Sequence, residues 1–255
     1  MITVKNSAAE WDKAAAGFQS TYNAGMNDYN RRLLRFIKEK GMITNGCSVL
    51  DIGCGVGIYA KALSDLGCNV TLMDISREML RYAERNMADC ETLWRTVLCD
   101  FSEYEPNGET YDFSIAAMSP AVCDEKTLCK MSAVTSGTCL LTRFISWEQP
   151  DRDAVLKLAG LEPYTDTHAG DTQELIRLIT KLGFEPHIEY SDYCWSDDMR
   201  AEEAAKKIAE RLNRNASEEE LRCILKAAAK LCRDGIFTDR VNTKVAWIYW
   251  KTKRL

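Results

Sequence analysis

Apolar residues recur along this 255-residue chain at two different periods, and the switches between them outline its elements. Through residues 8–40 the spacing is helical. Trp11, Ala14, Ala15, Phe18 and Tyr22 form one stripe, and Tyr29, Leu33, Phe36 and Ile37 form a second, with Gly25 between them and Gly41 after. Residues 47–52, with Cys47, Val49, Leu50 and Ile52, then read as a short buried strand. A second helical stretch, 59–66, stops at Gly67.

The same alternation continues. Residues 69–74 read as strand. Ser76 caps a helix whose Met79, Leu80, Ala83 and Met87 share a face. Strands follow at 94–100, 111–118 and 137–145, with helices at 124–134 and 151–159 and a loop at 161–170. Asp171 and Glu174 make a capping box for a helix carrying Leu175, Leu178, Ile179 and Leu182, ended by Gly183. A strand from 184 to about 195 and a last strand at 243–250 complete the series. Between these two the pattern is helical. Ser196 starts one helix, supported by Glu202–Lys206 and Glu203–Lys207 pairs; Ser217 with Glu220 opens another bearing Leu221, Ile224, Leu225, Ala228, Leu231 and Cys232. Strands alternating with helices predict an α/β, doubly wound sheet. The whole of 1–255 reads as one domain: a helical cap or lid over 1–44, a core over 45–195, a helical insertion over 196–242 and a closing strand over 243–255.

The chemistry concentrates after the first strand, in Asp51-Ile52-Gly53-Cys54-Gly55-Val56-Gly57. Glycines without Cβ atoms let backbone come close to a ligand. A dinucleotide fingerprint requires Gly three places after its second Gly, where this chain has Ile58. Asp51, two residues ahead of the first Gly, would repel a pyrophosphate but suits a ligand bearing an ammonium and no phosphate. S-adenosylmethionine (SAM) is such a ligand. Asp74 ends the second strand 21 residues past Gly53, the distance from one strand end to the next in a nucleotide-binding sheet. A carboxylate there accepts both hydroxyls of a ribose; its alternative role is to cap the helix that follows.

The Asp51-x-Gly53-x-Gly55-x-Gly57 segment resembles motif I of the class I SAM-dependent methyltransferases, and the similarity extends over about 45–145 through Asp74, Asp100-Phe101 and the strand at 111–118. The resemblance implies a Rossmann-like sheet of seven strands, mostly parallel with the last antiparallel. It also implies SAM as cofactor and a methyl group as cargo. On it, Asp51, Gly53, Cys54, Gly55 and Gly57 hold the methionine end, Asp74 and Ile75 the ribose, and Asp100 with Phe101 the adenine, while Ala117, Met118 and Ser119 border the reacting centre. Tyr22 or Tyr29 would lie near the sulfonium, whose charge an aromatic face attracts by about 0.5–2 kcal/mol. Met118-Ser119-Pro120-Ala121 stands where methyltransferases of planar nitrogens carry Asn/Asp-Pro-Pro-aromatic. That departure argues against base-flipping methylation and leaves the acceptor atom open. Ser119, Tyr29 and His168 are the candidates for a catalytic group, and Arg143 for an anionic substrate.

Composition narrows the rest. A net charge of −5 gives no electrostatic footprint for nucleic acid. Eleven cysteines without a C-x-x-C pair, and two histidines, lack zinc spacing, so no metal is expected and the thiols read as reduced. Cys123 and Cys194 are the better candidates for a substrate-facing thiol. No apolar run reaches the ~18–20 residues that span a bilayer, and the first six residues have no leader-like core; a cytoplasmic protein is expected. The leading reading is a SAM-dependent methyltransferase of a small molecule, with a homodimer through the helical insertion as one use for its apolar faces. RNA or protein methylation, a non-catalytic SAM-binding regulator and an NAD-dependent oxidoreductase are the competing readings.

Overall fold

The structure is a computed structural model and describes residues 7–163, 169–210, 212 and 216–252. Its contacts group the chain into two units, Met1–Arg143 with Asp171–Glu189 and Ala246–Leu255, and Phe144–Gly170 with Tyr190–Val245.

In the first unit, α1 (Ala8–Asn23) and α2 (Asp28–Glu39) precede the sheet, and the chain turns between them at Gly25, where φ is +88°. Strands β1 (Ser48–Ile52), β2 (Asn69–Asp74), β3 (Trp94–Leu98) and β4 (Tyr111–Ala117) alternate with α3 (Ile58–Asp65) and α4 (Arg77–Met87). After β4 come α5 (Glu125–Val134) and β5 (Thr135–Glu148). The central strands are parallel, with Val49 opposite both Val70 and Phe113. Val49, Leu50, Ile52, Leu72, Phe113 and Ile115 are buried completely, as strands covered by helices on both faces require. Gly137 sits where the β4–β5 register shifts; a Cβ there would lie 2.2 Å from the Asp112 carbonyl, so only glycine lets the strands meet.

The strand order is β3-β2-β1-β4-β5-β7-β6. Here α6 (Pro150–Leu158), α7 (Ala169–Lys181), β6 (His187–Met199), α8 (Ala201–Glu210), α9 (Glu218–Leu231) and β7 (Phe237–Lys251) complete the chain. The last strand runs antiparallel to both neighbours. The Thr252 N–H reaches the Gly137 carbonyl and the Thr243 hydroxyl reaches that of Ser146, so nine residues back along one strand are nine forward along the other. On the β6 side Tyr249 stacks on His187, Lys244 pairs with Asp192 and Thr238 donates to Asp198, in the same reversed sense. A Rossmann-like sheet of seven strands, mostly parallel, is therefore the observed fold.

Three strands are longer than their sequence suggests. β5 extends to Glu148, β6 continues to Met199 and β7 begins at Phe237 rather than Thr243. Ser196 therefore lies inside a strand instead of starting a helix, and α8 begins only at Ala201. The cause is visible in the second unit. From Phe237 to Val245 every other residue is buried, but two of the inward residues are Asp239 and Thr243, so the alternation is geometric and not apolar. Asp239 is 1% exposed and accepts a two-pronged hydrogen bond from Arg152 of α6, at 2.6–3.0 Å. Around this pair Val155, Leu156, Met199, Ile208, Ile224 and Phe237 form the unit's apolar core, which is where α6, α8 and α9 bury their faces. No helix among the described residues is long and apolar enough to cross a membrane.

Candidate functional site

The strand order reverses between β1 and β4: β1 is followed in space by β2 on one side and β4 on the other. Open α/β sheets bind ligands at such a switch point, beyond the strands' carboxyl ends. The two loops that meet there are in close contact. Gly53 takes φ +69° after β1, and a Cβ on it would lie 1.9 Å from Ser119 Oγ of the loop after β4.

The glycine turn is built for a ligand other than an anion. The Gly53 and Cys54 N–H groups both donate to the Met73 carbonyl (2.7 and 2.9 Å), Gly55 N–H donates to Asp74 Oδ2 (2.9 Å), and Gly57 N–H donates to the Cys54 carbonyl (3.0 Å). All four donors are thus engaged within the protein, whereas a phosphate cradle needs them free. What the turn presents instead is carboxylate. Asp51 is 1% exposed, and its Oδ2 has no hydrogen-bond partner. Burial, with the nearby charge of Asp74, pushes Asp51 up to about 7 against a hydrogen bond from the Ala60 backbone. The Cys54 thiol is also raised, by burial and then by the same two acids. A buried acid with an orphaned oxygen is costly unless a cation meets it. The ammonium of SAM is such a cation, so the residues present fit that nucleoside.

Asp74 ends β2 with both oxygens partly used, Oδ1 accepting from the Ser76 N–H (2.8 Å) and Oδ2 from Gly55. Desolvation raises its pKa, and those backbone bonds oppose the rise. Each oxygen keeps a second lone pair. Ile75 beside it is half-buried. Further along, the Cys99 N–H donates to the Asp74 carbonyl, which carries the chain to Asp100. Asp100 Oδ1 accepts from the Ser102 N–H at 2.8 Å. Phe101 is 2% exposed with its ring stacked on Tyr104, and Lys130 of α5 holds the loop by donating to the Ser102 and Tyr104 carbonyls. The Phe101 ring is therefore part of the interior, which leaves little of it to cover an adenine.

At the end of β4, Ala117 and Met118 are half-buried. Met118 holds a left-handed backbone, φ +52°, which costs a non-glycine residue about 1–3 kcal/mol. Its N–H donates to Thr142 Oγ1 at 2.9 Å. Thr142 also bonds Tyr29, whose Oη accepts from Trp247 Nε1 at 3.2 Å. Tyr29 is buried and raised to about 12 by desolvation, so it is a phenol at neutral pH and a member of this network. The Ser119 hydroxyl accepts from the Ala121 N–H, which fits a turn ahead of Pro120. Arg143 donates to the Thr142 and Val122 carbonyls. His168 lies outside the described residues.

Helix α1 is tied to the site by contacts the sequence does not announce. Asp12 Oδ1 accepts from Ser76 Oγ (2.6 Å) and from the Glu78 N–H (3.1 Å), so an α1 side chain completes the N-terminus of α4 just after Asp74. Asn86 donates to the Val56 carbonyl and to Gln19, while Ala15 packs with Val56 and Met79. Tyr22 is on this helix and packs against the same Ala15, Val56 and Met79 cluster, and burial raises its phenol above the ordinary value. Asp12→Ala is expected to speed amide exchange throughout α1 and the first turn of α4 and leave β1 and β2 protected. Uniform protection in α1 would show that the apolar contacts alone hold it.

Residues 49–136 match the family model described as "Methyltransferase domain". Among curated proteins, the chain is 36% identical over 67 residues to a ubiquinone biosynthesis O-methyltransferase of Hydrogenovibrio crunogenus, covering 26% of this chain and 27% of that protein. It is 27% identical over 110 residues to the N-terminal Xaa-Pro-Lys N-methyltransferase 1-B of Xenopus laevis, covering 42% and 49%. The chain thus spans about a quarter to a half of these relatives' lengths. In fold it is similar to a Haemonchus contortus phosphoethanolamine N-methyltransferase solved with S-adenosylhomocysteine, at a TM-score of 0.55 and 18% identity, covering 96% of this chain and 58% of that one. The matched segment, the sheet order and the orphaned acid before the glycine turn agree: residues 49–136 match a methyltransferase domain, on a sheet similar in fold to that of SAM-dependent methyltransferases.

Proposed function

We propose that this protein transfers a methyl group from SAM to a small-molecule acceptor. The observation that carries the reading is the buried, unpartnered Oδ2 of Asp51 beside a turn whose Gly53, Cys54, Gly55 and Gly57 N–H groups are engaged. In this reading Asp51 meets the ammonium and Asp74 accepts the ribose hydroxyls on its remaining lone pairs. Gly53, Cys54, Gly55 and Gly57 give the methionine end close backbone approach, Ile75 packs beside the sugar, and Asp100 takes the adenine amino group. The bound nucleoside supplies an activated methyl on a sulfonium. The protein's own task is alignment, which by itself provides effective molarities of ~10⁵–10⁸ M. The rigid Met118 peptide, fixed through Thr142 and Tyr29, borders the acceptor. With Tyr29 kept protonated and Ser119 pressed against Gly53, the described residues favour an acceptor that needs no general base, such as a thiol or a neutral amine.

Calorimetry with S-adenosylhomocysteine tests the site, and label transfer from methyl-labelled SAM into a metabolite extract tests the activity. Uptake of label into small molecules is expected; nucleoside binding without any transfer would make this a regulator. The match to a protein N-methyltransferase favours a second reading, methylation of a peptide amine, and Xaa-Pro-Lys peptides belong in the same assay. The net charge of −5 and the Met118-Ser119-Pro120-Ala121 segment weigh against RNA. Asp74→Ala is expected to weaken nucleoside binding by about 1.5–3 kcal/mol. Because Asp74 also anchors the Gly55 and Ser76 N–H groups, the melting temperature falls with it. Full affinity in that variant would remove Asp74 from the site.

A further inference from the structure

Away from the nucleoside site, at the opposite ends of the same strands, two cysteines stand side by side. Cys47 immediately precedes β1 and Cys68 immediately precedes β2. Ser48 is in register with Asn69, and the Asn69 N–H donates to the Cys47 carbonyl at 2.8 Å, so the two cysteines are neighbours one step earlier on the parallel ladder. Strands in such a ladder lie ~4.8 Å apart, inside the Cα range of ~4.4–6.8 Å that a disulfide bridges. The sulfurs are 3.5 Å apart, within S–H···S contact.

The pair is also chemically divided. The contact with Cys68 holds the Cys47 thiol below its ordinary range, while the same contact and burial raise Cys68. Cys47 is therefore the more acidic thiol and the attacking sulfur of the two. Cys68 is fully buried, but Cys47 is 7% exposed beneath the exposed residues Thr44, Asn45 and Gly46, which a small oxidant can pass.

We propose that Cys47 and Cys68 form a hydroperoxide-responsive dithiol that closes to a disulfide joining β1 to β2. The Cys47 thiolate attacks one oxygen of hydrogen peroxide; the O–O bond breaks, leaving a sulfenic acid on Cys47 and hydroxide, which takes a proton to become water. The Cys68 sulfur then attacks the Cys47 sulfur, the S–S bond forms, the S–O bond breaks and a second water leaves with the Cys68 proton. Two thiols are oxidised and one peroxide is reduced. The bridge braces the amino ends of the two strands whose carboxyl ends carry Asp51 and Asp74, so it stiffens the base of the sheet without entering the nucleoside site.

The test uses the full chain with its exposed cysteines removed (C123S, C129S, C194S and C223S), so that the pair's chemistry is read without surface thiols. After hydrogen peroxide, a non-reducing digest is expected to yield a peptide linking Cys47 to Cys68, lighter by two hydrogens and released by dithiothreitol, with a higher melting temperature and unchanged S-adenosylhomocysteine affinity. Adding C68A is expected to leave the sulfenic acid unresolved, so that dimedone labels Cys47 far more strongly than in the parent. Both thiols remaining alkylatable in the unfolded, peroxide-treated chain would overturn the proposal. So would a sulfinic Cys47 with free Cys68, or equal dimedone labelling in the two proteins.

Discussion

Asp51→Asn is expected to weaken S-adenosylhomocysteine binding by about 2–3 kcal/mol, roughly 30- to 140-fold, while raising the melting temperature of the ligand-free protein. The two effects have one origin. Asp51 is buried, one of its oxygens lacks a partner, and burial with Asp74 lifts it to about 7. The unfolded chain holds an ordinary aspartate, so below about pH 4 both states are protonated and Asp51 costs nothing. As the pH rises the unfolded state ionises first, and the folded state loses stability progressively until about pH 7, above which the penalty is constant. An asparagine has no such penalty. The stability difference between the variant and the parent should therefore open between about pH 4 and 7 and stay constant beyond. Ligand binding in the parent should strengthen over the upper part of the same range, since an ammonium requires the ionised acid. Melting curves at several pH values, with and without ligand, read both; a constant gap across pH would show that Asp51 is not the group under strain.

The second large effect is steric. Gly53→Ala is expected to cost about 2–5 kcal/mol of folding stability, and Gly55→Ala only about 1–2. Both glycines hold left-handed backbone, which costs an alanine about 1–2 kcal/mol. At Gly55 the nearest atom to an added Cβ is Met79 Sδ at 4.0 Å, so that is the whole cost. At Gly53 the same atom meets Ser119 Oγ at 1.9 Å and Ser119 Cβ at 2.8 Å, and overpacking of this kind adds about 1–3 kcal/mol. Ser119→Gly in the Gly53→Ala background removes both clashing atoms and should return the steric part alone. Denaturant titration of the three variants decides it: equal losses at both glycines would mean that the β4 loop simply yields.

Much of the nucleoside end was legible because its signals are local. The run of glycines, an acid two places before them and an acid ending the next strand are spacings along the chain, and each falls where a single strand and turn put it. The roles of those residues were harder to read. The glycine turn suggested donors for a ligand, yet its N–H groups at Gly53, Cys54 and Gly55 are bonded to β2. Phe101 is marked for an adenine by its place after Asp100, and its burial against Tyr104 is a packing feature that the motif does not announce. Asp12, Gln19 and Asn86 were invisible, since a polar residue on an amphipathic helix gives no sign of which distant loop it will meet. Ser196 misled for a related reason: Ser-Asp-Asp is a helix-start signal, and only Asp198 meeting Thr238 and Met199 entering the core reveal a strand.

The inward-outward alternation of β7 has a consequence for how this protein can change over time. From Phe237 to Val245 each residue facing the core is followed by one facing out, with Asp239 fixed to Arg152 and Arg240 to Asp151. Gaining or losing a single codon within that stretch would swap the two sets beyond it, sending charges such as Lys244 inward and Val245 into water. Two codons together keep the parity. Length variation in this ribbon is thus confined to even steps, and descendants of the sequence should differ there by pairs of residues or not at all.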